Sequence, residues 1–223
     1  GIGMRPAEGI LNKKTIKNLL NRLKKNGSKF SYRKIKNKSK KVYEANITVF
    51  NALSKSDADK EGNFYFERYI SAHAIMISFE GVPAIYFNSL FGTANDEAKY
   101  IITGNNRDIN RYRWNQKGIL NHLKNSKSKQ SIFYKNLTNL LSIKIKQKAF
   151  HPNASRTTLN MGSKIFCFQR TSIDKKQTII CITNLSSKNQ NLLLNNKFKN
   201  WKNLINQKIN ILPNKKLELQ PFQ

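Results

Sequence analysis

The sequence predicts two structural parts, an α/β part over residues 1–150 and a small all-β domain over residues 151–223. In the first part, apolar residues recur at helical spacing and are followed by a short apolar run that is typical of a buried parallel strand. Beyond residues 151–153 the periodicity changes to two, with turns rich in Gly, Asn, Ser and Lys. We therefore expect helices around a parallel sheet, followed by a small antiparallel sheet.

The first expected element is a helix over residues 12–25. Its apolar face is formed by Ile16, Leu19, Leu20 and Leu23. Asn26-Gly27 then supplies a stop signal. Residues 28–39 are basic and lack periodicity, whereas residues 42–53 become apolar and β-branched in their middle. We expect an extended loop here, with one short ordered segment.

A helix followed by a short apolar run is the clearest α/β signal. Residues 63–79 predict a buried helix with one apolar face, ended by Glu80-Gly81. The run Val82-Pro83-Ala84-Ile85-Tyr86-Phe87-Asn88 then predicts a short buried strand, because a helix, a tight turn and an apolar strand follow one another in parallel α/β folds. Residues 89–115 are polar and predict a long loop, and residues 131–150 return to helical spacing.

The second part should be an antiparallel β module. Its short apolar runs lie at residues 157–161, 165–170, 178–184, 192–194, 209–212 and 217–219. Cys167 and Cys181 lie within two of these runs, which predicts buried thiols and leaves a disulfide between neighbouring strands open. The three histidines are scattered and form no metal-ligand pattern, so we expect no metal site.

The chain is strongly basic, with 41 Lys and Arg against 12 Asp and Glu and a formal net charge of +29. Such a charge favours polyanions, since basic side chains release the counterions of nucleic acids. However, the Lys residues are interleaved with Asn along the whole chain, and no nucleic-acid-binding motif is present. We therefore expect no nucleic-acid partner and attribute the charge to a general Lys/Asn bias. A basic polyanion-binding module remains the alternative.

The sequence predicts a cytoplasmic protein with no membrane partner. No apolar run approaches the length of a transmembrane helix, and no cleavable signal is recognised at the start. The chain enters directly in a glycine-bearing segment, Gly1-Ile2-Gly3, without Met. We interpret this as the start of a truncated chain.

Five motifs follow one another in an order typical of one enzyme family. They are Gly1-Ile2-Gly3-Met4-Arg5-Pro6, Tyr43-Glu44-Ala45-Asn46-Ile47-Thr48, Ala72-His73-Ala74-Ile75-Met76, Gly81-Val82-Pro83-Ala84-Ile85-Tyr86-Phe87 and Gly104-Asn105-Asn106-Arg107-Asp108-Ile109-Asn110-Arg111. In this order they resemble the sucrose-phosphorylase and glucosylglycerate-phosphorylase branch of the α-amylase superfamily, glycoside hydrolase family 13. The resemblance covers residues 1–155 well and the β module loosely.

The resemblance implies that residues 1–150 are the C-terminal portion of a catalytic (β/α)8 TIM barrel. Residues 63–79 match its seventh helix, residues 82–87 its eighth strand and residues 131–150 its last helix, with long loops between them. The last strand and last two helices of a barrel, followed by a small antiparallel β domain, are therefore expected.

The resemblance also implies glucosyl transfer. Family members cleave an α-glucoside with retention and give glucose 1-phosphate, so inorganic phosphate is a co-substrate and no organic cofactor is implied. The chemistry needs a carboxylate nucleophile and a carboxyl group that serves as acid and then base. A third, stabilising carboxylate belongs to a His-Asp pair directly before Gly-Ile-Gly. All three fall outside residues 1–223, so we expect no catalytic residue in this chain and no activity from it alone.

Four substrate-binding positions are implied by the resemblance. Arg107 matches an arginine that holds the glucosyl unit where the bond is cleaved, a task that suits its planar guanidinium. Tyr43 and Glu44 match a mobile loop that contacts the acceptor or phosphate, and Asn46 is expected to anchor this loop. Asn95-Asp96 is expected to shape the rim near the acceptor. Solvated loop residues are the alternative for Arg107 and the Tyr-Glu pair.

Glu44 departs from the pattern of the members that act on sucrose, which have Gln at this position. A glutamine amide donates and accepts hydrogen bonds, whereas an ionised carboxylate only accepts them. The Tyr-Glu pair therefore resembles the relatives that act on glucosylglycerate or glucosylglycerol. A glycoside hydrolase of the same superfamily remains a further alternative.

Overall fold

The structure is a computed structural model that describes residues 1–35, 39–193, 201–206 and 216–223. Its contacts divide the chain into two compact units. The first unit contains residues 1–65 and 85–134, and the second contains residues 66–84 and 135–223. The domain boundary predicted near residue 150 stays a prediction.

A three-stranded antiparallel sheet organises the first unit. Its strands are β1 (Ile2–Gly3), β2 (Lys29–Lys34) and β3 (Lys40–Asn46), in the order β1-β3-β2. The irregular segment expected at residues 28–39 is wrong, because β2 pairs with β3 through backbone hydrogen bonds, and local periodicity does not reveal such a non-local pairing. Residues 36–38 lie outside the described part of the chain.

The first predicted helix is confirmed as α1 (Lys13–Lys25). It begins after Asn12, whose side-chain oxygen accepts a hydrogen bond from the Thr15 amide at 2.8 Å. On its apolar face, Leu23 is 2% exposed and packs with Ala45 of β3 and with Ile47. The apolar spacing of the sequence thus identified the face of α1 that covers the sheet.

The polar stretch after residue 89 contains more regular structure than the sequence predicted. Short helices occur throughout the first unit: α2 (Val49–Ala52), α4 (Phe87–Leu90), α5 (Glu97–Thr103) and α6 (Gln116–Lys124), with 3₁₀ turns at Arg5–Ala7 and Asn106–Asn110. Side-chain caps start three of these α-helices: Thr48 accepts from the Asn51 amide at 3.2 Å, Asp96 from the Lys99 amide at 3.0 Å, and Asn115 from the Gly118 amide at 3.3 Å. Such caps stabilise helices too short to show apolar periodicity.

The buried strand predicted at residues 82–88 is wrong for this structure. Residues 82–86 belong to no strand, Val82 is 82% and Tyr86 57% exposed, and α4 begins at Phe87. A parallel strand takes its hydrogen bonds from neighbours on either side, whereas every ladder between named strands in the described residues is antiparallel. The barrel itself therefore stays a prediction.

The second unit contains the predicted antiparallel sheet. Its strands β4 (Ser155–Asn160), β5 (Ile165–Thr171) and β6 (Thr178–Asn184) pair in chain order, and β7 (Gln190–Leu193) pairs with β8 (Lys216–Leu219). These positions confirm the β module, while the strand predicted at residues 209–212, like Leu194, lies outside the described residues. A 3₁₀ turn, Lys148–Phe150, precedes the module.

The two longest helices also confirm their predictions. They are α3 (Tyr65–Ser78) and α7 (Lys129–Ile145), predicted over residues 63–79 and 131–150. No helix of the described residues is long and apolar enough to cross a bilayer.

The register of β5 and β6 decides the question of a disulfide. Cys167 lies opposite Ile182, and Cys181 lies opposite Phe168. Because successive side chains of a strand alternate between its two faces, the two thiols project to opposite faces and do not form a disulfide with each other. Burial raises the pKa of each thiol to about 11.

His73 provides a test of burial in α3. His73 is 5% exposed, its Nδ1 donates to the Tyr69 carbonyl at 2.9 Å, and burial lowers its pKa below the ordinary value of 6.5. Because the unfolded chain binds a proton at a higher pH than the folded chain, the free energy of unfolding should fall as the pH drops below about 6.5, by at most about 1.4 kcal/mol per pH unit. Urea unfolding at pH 7.5 and 5.5 measures this fall.

The matched variant is His73→Leu, which fills the buried position with an apolar side chain that cannot titrate. The variant should show a smaller fall in stability between these two pH values, and part of what remains is expected from the Gly1 ammonium, whose pKa burial also lowers below its ordinary value of 8.0. The carboxylates with shifted pKa values, those of Glu8, Glu80, Asp108 and Asp174, are all shifted downward and titrate at lower pH. An equal fall in the wild-type and variant chains would contradict the assignment to His73.

Candidate functional site

Tyr43, Glu44 and Asn46 lie on β3, the central strand of the first unit. The Met4 amide donates to the Tyr43 carbonyl at 2.8 Å, and Glu44 lies opposite Gly3 of β1. The segment expected to be an extended, mobile loop is therefore paired on both sides, which corrects that expectation. A register shift next to Ser31 of β2, the other partner of Glu44, marks the one irregular point of this pairing.

Arg107 and Glu44 form an ion pair, although 63 residues separate them in the chain. The Nη2 atom of Arg107 lies 3.3 Å from Oε2 of Glu44, with 49% and 20% of the two side chains exposed. Asn106 brings the two together, because its amide donates to the carbonyl of Phe30 in β2 at 2.9 Å. The structure thus joins two residues that the sequence analysis had selected from separate motifs.

The turn that carries Arg107 is firmly held. Asn105 accepts a hydrogen bond from the Arg107 amide at 3.1 Å, and Ile109 is fully buried. Lys99 of α5 lies 3.0 Å from Asp108, and this hydrogen bond is the main reason why the pKa of Asp108 is lowered. Arg107 is therefore presented by a rigid turn and not by a free loop.

Asn46 has an anchoring position. Its side chain is completely buried, and its amide donates to the Lys29 carbonyl at 3.2 Å and to Ser31 Oγ at 2.8 Å. Both partners belong to β2, so the amide fastens β2 to β3 beside Glu44. This placement favours the anchoring role over direct contact with a ligand, and the substrate-binding role stays a prediction.

Asn95 and Asp96 hold the surrounding frame. The Asn95 side-chain oxygen accepts from the Thr48 amide at 2.9 Å, and its amide donates to the Gly27 carbonyl at 3.2 Å. Asp96 caps α5 and donates its backbone amide to the Ile109 carbonyl at 2.7 Å. These bonds fix the segments next to the Arg107 turn, while the expected contact with an acceptor stays a prediction.

An open depression lies over β1 and β3, lined by Gly3, Arg5, Tyr43 and Glu44. Arg5 is the residue that the sequence analysis missed, although it belongs to one of the quoted motifs. Its proximity to Glu44 depends on the pairing of Gly3 with Glu44, a non-local contact that the sequence does not reveal. An arginine at an exposed position within one of the five motifs was the signal that could have identified it as a binding residue.

Near the depression, the carboxylate of Glu8 is paired with basic side chains, whereas the guanidinium of Arg5 has no partner among the described residues. Glu8 is engaged by Lys41 at 3.0 Å and by Arg33 at 2.9 Å, and the hydrogen bonds from these two side chains, that of Lys41 first, lower its pKa. Arg5 makes no side-chain hydrogen bond or ion pair with any residue of the described part of the chain. The site therefore has spare positive charge, which suits an anion or a polar sugar.

No group of His, Cys, Asp and Glu side chains that could hold a metal ion occurs within residues 1–35, 39–193, 201–206 and 216–223. The side chains at the site offer one carboxylate, a phenol and guanidinium groups. Such groups bind and orient hydroxyl and oxyanion groups of a ligand.

Relatives among characterised proteins are phosphorylases. The chain is 31% identical to a glucosylglycerate phosphorylase from Escherichia coli (strain K12) over 192 residues, which are 86% of this chain and 33% of the relative. A glucosylglycerate phosphorylase from Spirochaeta thermophila is 31% identical over 83% of this chain and 31% of its own length. A sucrose phosphorylase from Agrobacterium vitis is 28% identical over 56% of this chain and 22% of its own length. No family model matches the chain.

Solved structures share the fold. Sucrose 6F-phosphate phosphorylase from Thermoanaerobacter thermosaccharolyticum superposes with a TM-score of 0.58 at 20% identity, over 82% of this chain and 37% of that protein. A trehalulose synthase superposes with a TM-score of 0.53 at 16% identity, over 76% of this chain and 39% of that protein. The chain spans about a third of the length of the curated relatives named first. The resemblance predicted from the five motifs is confirmed.

Proposed function

We propose that this chain, a relative of the glucosylglycerate and sucrose phosphorylases of glycoside hydrolase family 13, forms the substrate-binding side of a retaining α-glucoside phosphorylase. The observation that carries the proposal is the contact between Glu44 and Arg107 at 3.3 Å. It brings the residue matched to the acceptor loop next to the residue matched to the glucosyl subsite. In this family these two positions face the two halves of the bond that is cleaved.

The ion pair is better explained by binding than by stability. Exposed pairs contribute about 0–1 kcal/mol, and half of the Arg107 side chain is exposed. The remaining N–H groups of the Arg107 side chain have no partner among the described residues and can orient hydroxyl groups of a glucosyl unit, while Glu44 accepts hydrogen bonds from hydroxyl groups of the acceptor. Both side chains are positioned by the rigid elements β3 and the 106–110 turn.

The acceptor that fits best is glycerate. The two relatives at 31% identity are named glucosylglycerate phosphorylases, whereas the named sucrose phosphorylase matches a shorter stretch at 28% identity. Glu44 supports a choice other than sucrose, because the Tyr43-Glu44 pair resembles the relatives that act on glucosylglycerate or glucosylglycerol, whereas the members that act on sucrose have Gln at this position. The proposed reaction is glucosylglycerate plus phosphate giving glycerate plus glucose 1-phosphate.

A hybrid enzyme tests the proposal directly. It consists of the Escherichia coli glucosylglycerate phosphorylase with its matching third replaced by residues 1–223, and release of glucose 1-phosphate from glucosylglycerate and from sucrose is measured. We expect turnover of glucosylglycerate to exceed that of sucrose by at least about tenfold. Formation of free glucose without glucose 1-phosphate would favour the hydrolase alternative, and a folded hybrid without any activity would contradict the proposal.

Residues 1–223 alone should form no glucose 1-phosphate above the blank. The proposed nucleophile and acid/base belong to parts of the relatives that this chain does not span, and covalent transfer of a glucosyl unit does not proceed without them. The assay uses the purified chain with glucosylglycerate and phosphate, and the parent Escherichia coli enzyme is the positive control. Turnover by the chain alone would show that it carries its own catalytic carboxylates.

A further inference from the structure

We propose that the depression lined by Gly3, Arg5, Tyr43 and Glu44 is an anion subsite in which Arg5 binds an oxyanion of the ligand. The oxyanion is either the carboxylate of an acidic acceptor or an oxygen of inorganic phosphate. Arg5 then determines specificity by favouring charged over neutral acceptors. This inference rests on the proposed function, which it extends from a sugar site to a site with a defined charge preference.

Backbone contacts fix the position of Arg5. The preceding residue, Met4, is 3% exposed and donates its amide to the Tyr43 carbonyl at 2.8 Å. Arg5 then starts the 3₁₀ turn Arg5–Ala7, and its carbonyl accepts from the Glu8 amide at 3.0 Å. The root of the side chain is therefore held beside β3, while its exposed guanidinium is left to face the depression.

The charge balance leaves Arg5 available. Both nearby carboxylates are already compensated, Glu44 by Arg107 at 3.3 Å and Glu8 by Arg33 and Lys41 at 2.9 and 3.0 Å. In the described residues the Arg5 guanidinium has no partner of its own. A guanidinium binds a carboxylate or phosphate through two parallel hydrogen bonds, which a neutral hydroxyl cannot match. Because Arg107 compensates Glu44, a second carboxylate can enter without facing an unpaired negative charge.

Gly3 leaves room for the ligand. A Cβ atom placed on Gly3 would meet no atom within 4 Å, so the floor of the depression is bare backbone. Glycine lets a ligand approach the backbone closely. Gly3→Ala should therefore fill part of the depression without disturbing the pairing with Glu44, and Gly118→Ala in α6, where the nearest atom lies at 3.9 Å, is the matched control.

Titration of the full 223-residue chain tests the subsite. Amide chemical shifts of residues 43–46 are followed by NMR while D-glycerate, inorganic phosphate or glycerol is added. D-glycerate or phosphate should bind at least about tenfold more tightly than glycerol, a difference of about 1.4 kcal/mol that hydrogen bonds to a charged group supply, and Arg5→Ala should remove this difference. Arg5→Lys should recover part of the difference, because lysine keeps the positive charge but lacks the planar guanidinium that forms two parallel hydrogen bonds. Arg113→Ala, an exposed arginine without a described partner, is the control.

Each outcome decides a point. Loss of only glycerate binding in Arg5→Ala assigns the acceptor carboxylate to Arg5, loss of only phosphate binding assigns the phosphate, and loss of both assigns a shared subsite. Unchanged binding of both anions, or equal binding of glycerol, overturns the inference. The hybrid enzyme distinguishes the two proposals. If the hybrid is active but its affinity for glycerate is unchanged by Arg5→Ala, only the proposed anion subsite is contradicted. If the hybrid is inactive but anion binding by the 223-residue chain still depends on Arg5, only the proposed phosphorylase function is contradicted.

Discussion

Replacing Arg170 with Met is expected to lower the free energy of unfolding by about 3–5 kcal/mol, roughly 1–2 kcal/mol for each of its three hydrogen bonds, enough to unfold a marginally stable domain. Arg170 lies on β5 and is completely buried. Its guanidinium donates to the carbonyls of Ser78 at 2.7 Å, His151 at 2.8 Å and Ala154 at 3.2 Å. Met fills much of the same volume but donates no hydrogen bond, so three carbonyl groups would each lose one hydrogen bond in the interior, and the His151 carbonyl would keep only that of the Ala154 amide at 2.9 Å.

The position of Ser78 explains why the effect should spread. Ser78 is the last residue of α3, whose final carbonyls have no partner within the helix. The Arg170 charge also suits the negative end of the helix dipole. Loss of the guanidinium should therefore loosen the end of α3 as well as the start of the β module, both of which belong to the second unit.

The matched control is Arg156→Met on the neighbouring strand β4. Arg156 pairs with Glu80 at 2.6 Å, but both side chains are partly exposed, so its loss should cost no more than about 1 kcal/mol. Urea unfolding followed by circular dichroism measures both variants. Equal effects of the two substitutions would show that the buried hydrogen bonds of Arg170 do not stabilise the second unit more than an exposed ion pair.

The sequence predicted those elements whose signal is local. The period-two runs of β5 and β6, the apolar face of α1 and the long apolar helix α3 all depend on spacing within one segment. Strand β2 was missed because its partner β3 supplies its hydrogen bonds. The strand expected at residues 82–88 failed for the complementary reason, because a parallel strand forms only where neighbouring strands are present.

For the site, the sequence predicted individual residues but not which of them lie in contact. Glu44 and Arg107 were selected from motifs, yet their contact depends on Asn106 binding the carbonyl of Phe30. Arg5 was overlooked because only the pairing of Gly3 with Glu44 shows which surface it shares. Motifs identify chemical groups, whereas non-local hydrogen bonds decide which of these groups meet.

In the hybrid enzyme, Arg107→Ala is expected to lower kcat/KM for phosphorolysis of glucosylglycerate by about 10²-fold or more. A guanidinium that orients the glucosyl unit contributes through positioning, and misplacement by about 1 Å is enough for a loss of this size. Stability should change by no more than about 1 kcal/mol, because the Arg107–Glu44 pair is partly exposed. Arg113→Ala should leave both quantities unchanged.

A second substitution separates the two ways in which Arg107 could act. Arg107→Ala removes a contact with the sugar and also leaves the charge of Glu44 without its partner at 3.3 Å. If the second effect dominates, Glu44→Gln in the Arg107→Ala background should restore most of the activity, because a neutral amide needs no compensating charge. If the sugar contact dominates, the two losses should add. Additive losses would make Arg107 a direct substrate-binding residue, and restored activity would make it a positioning residue for Glu44.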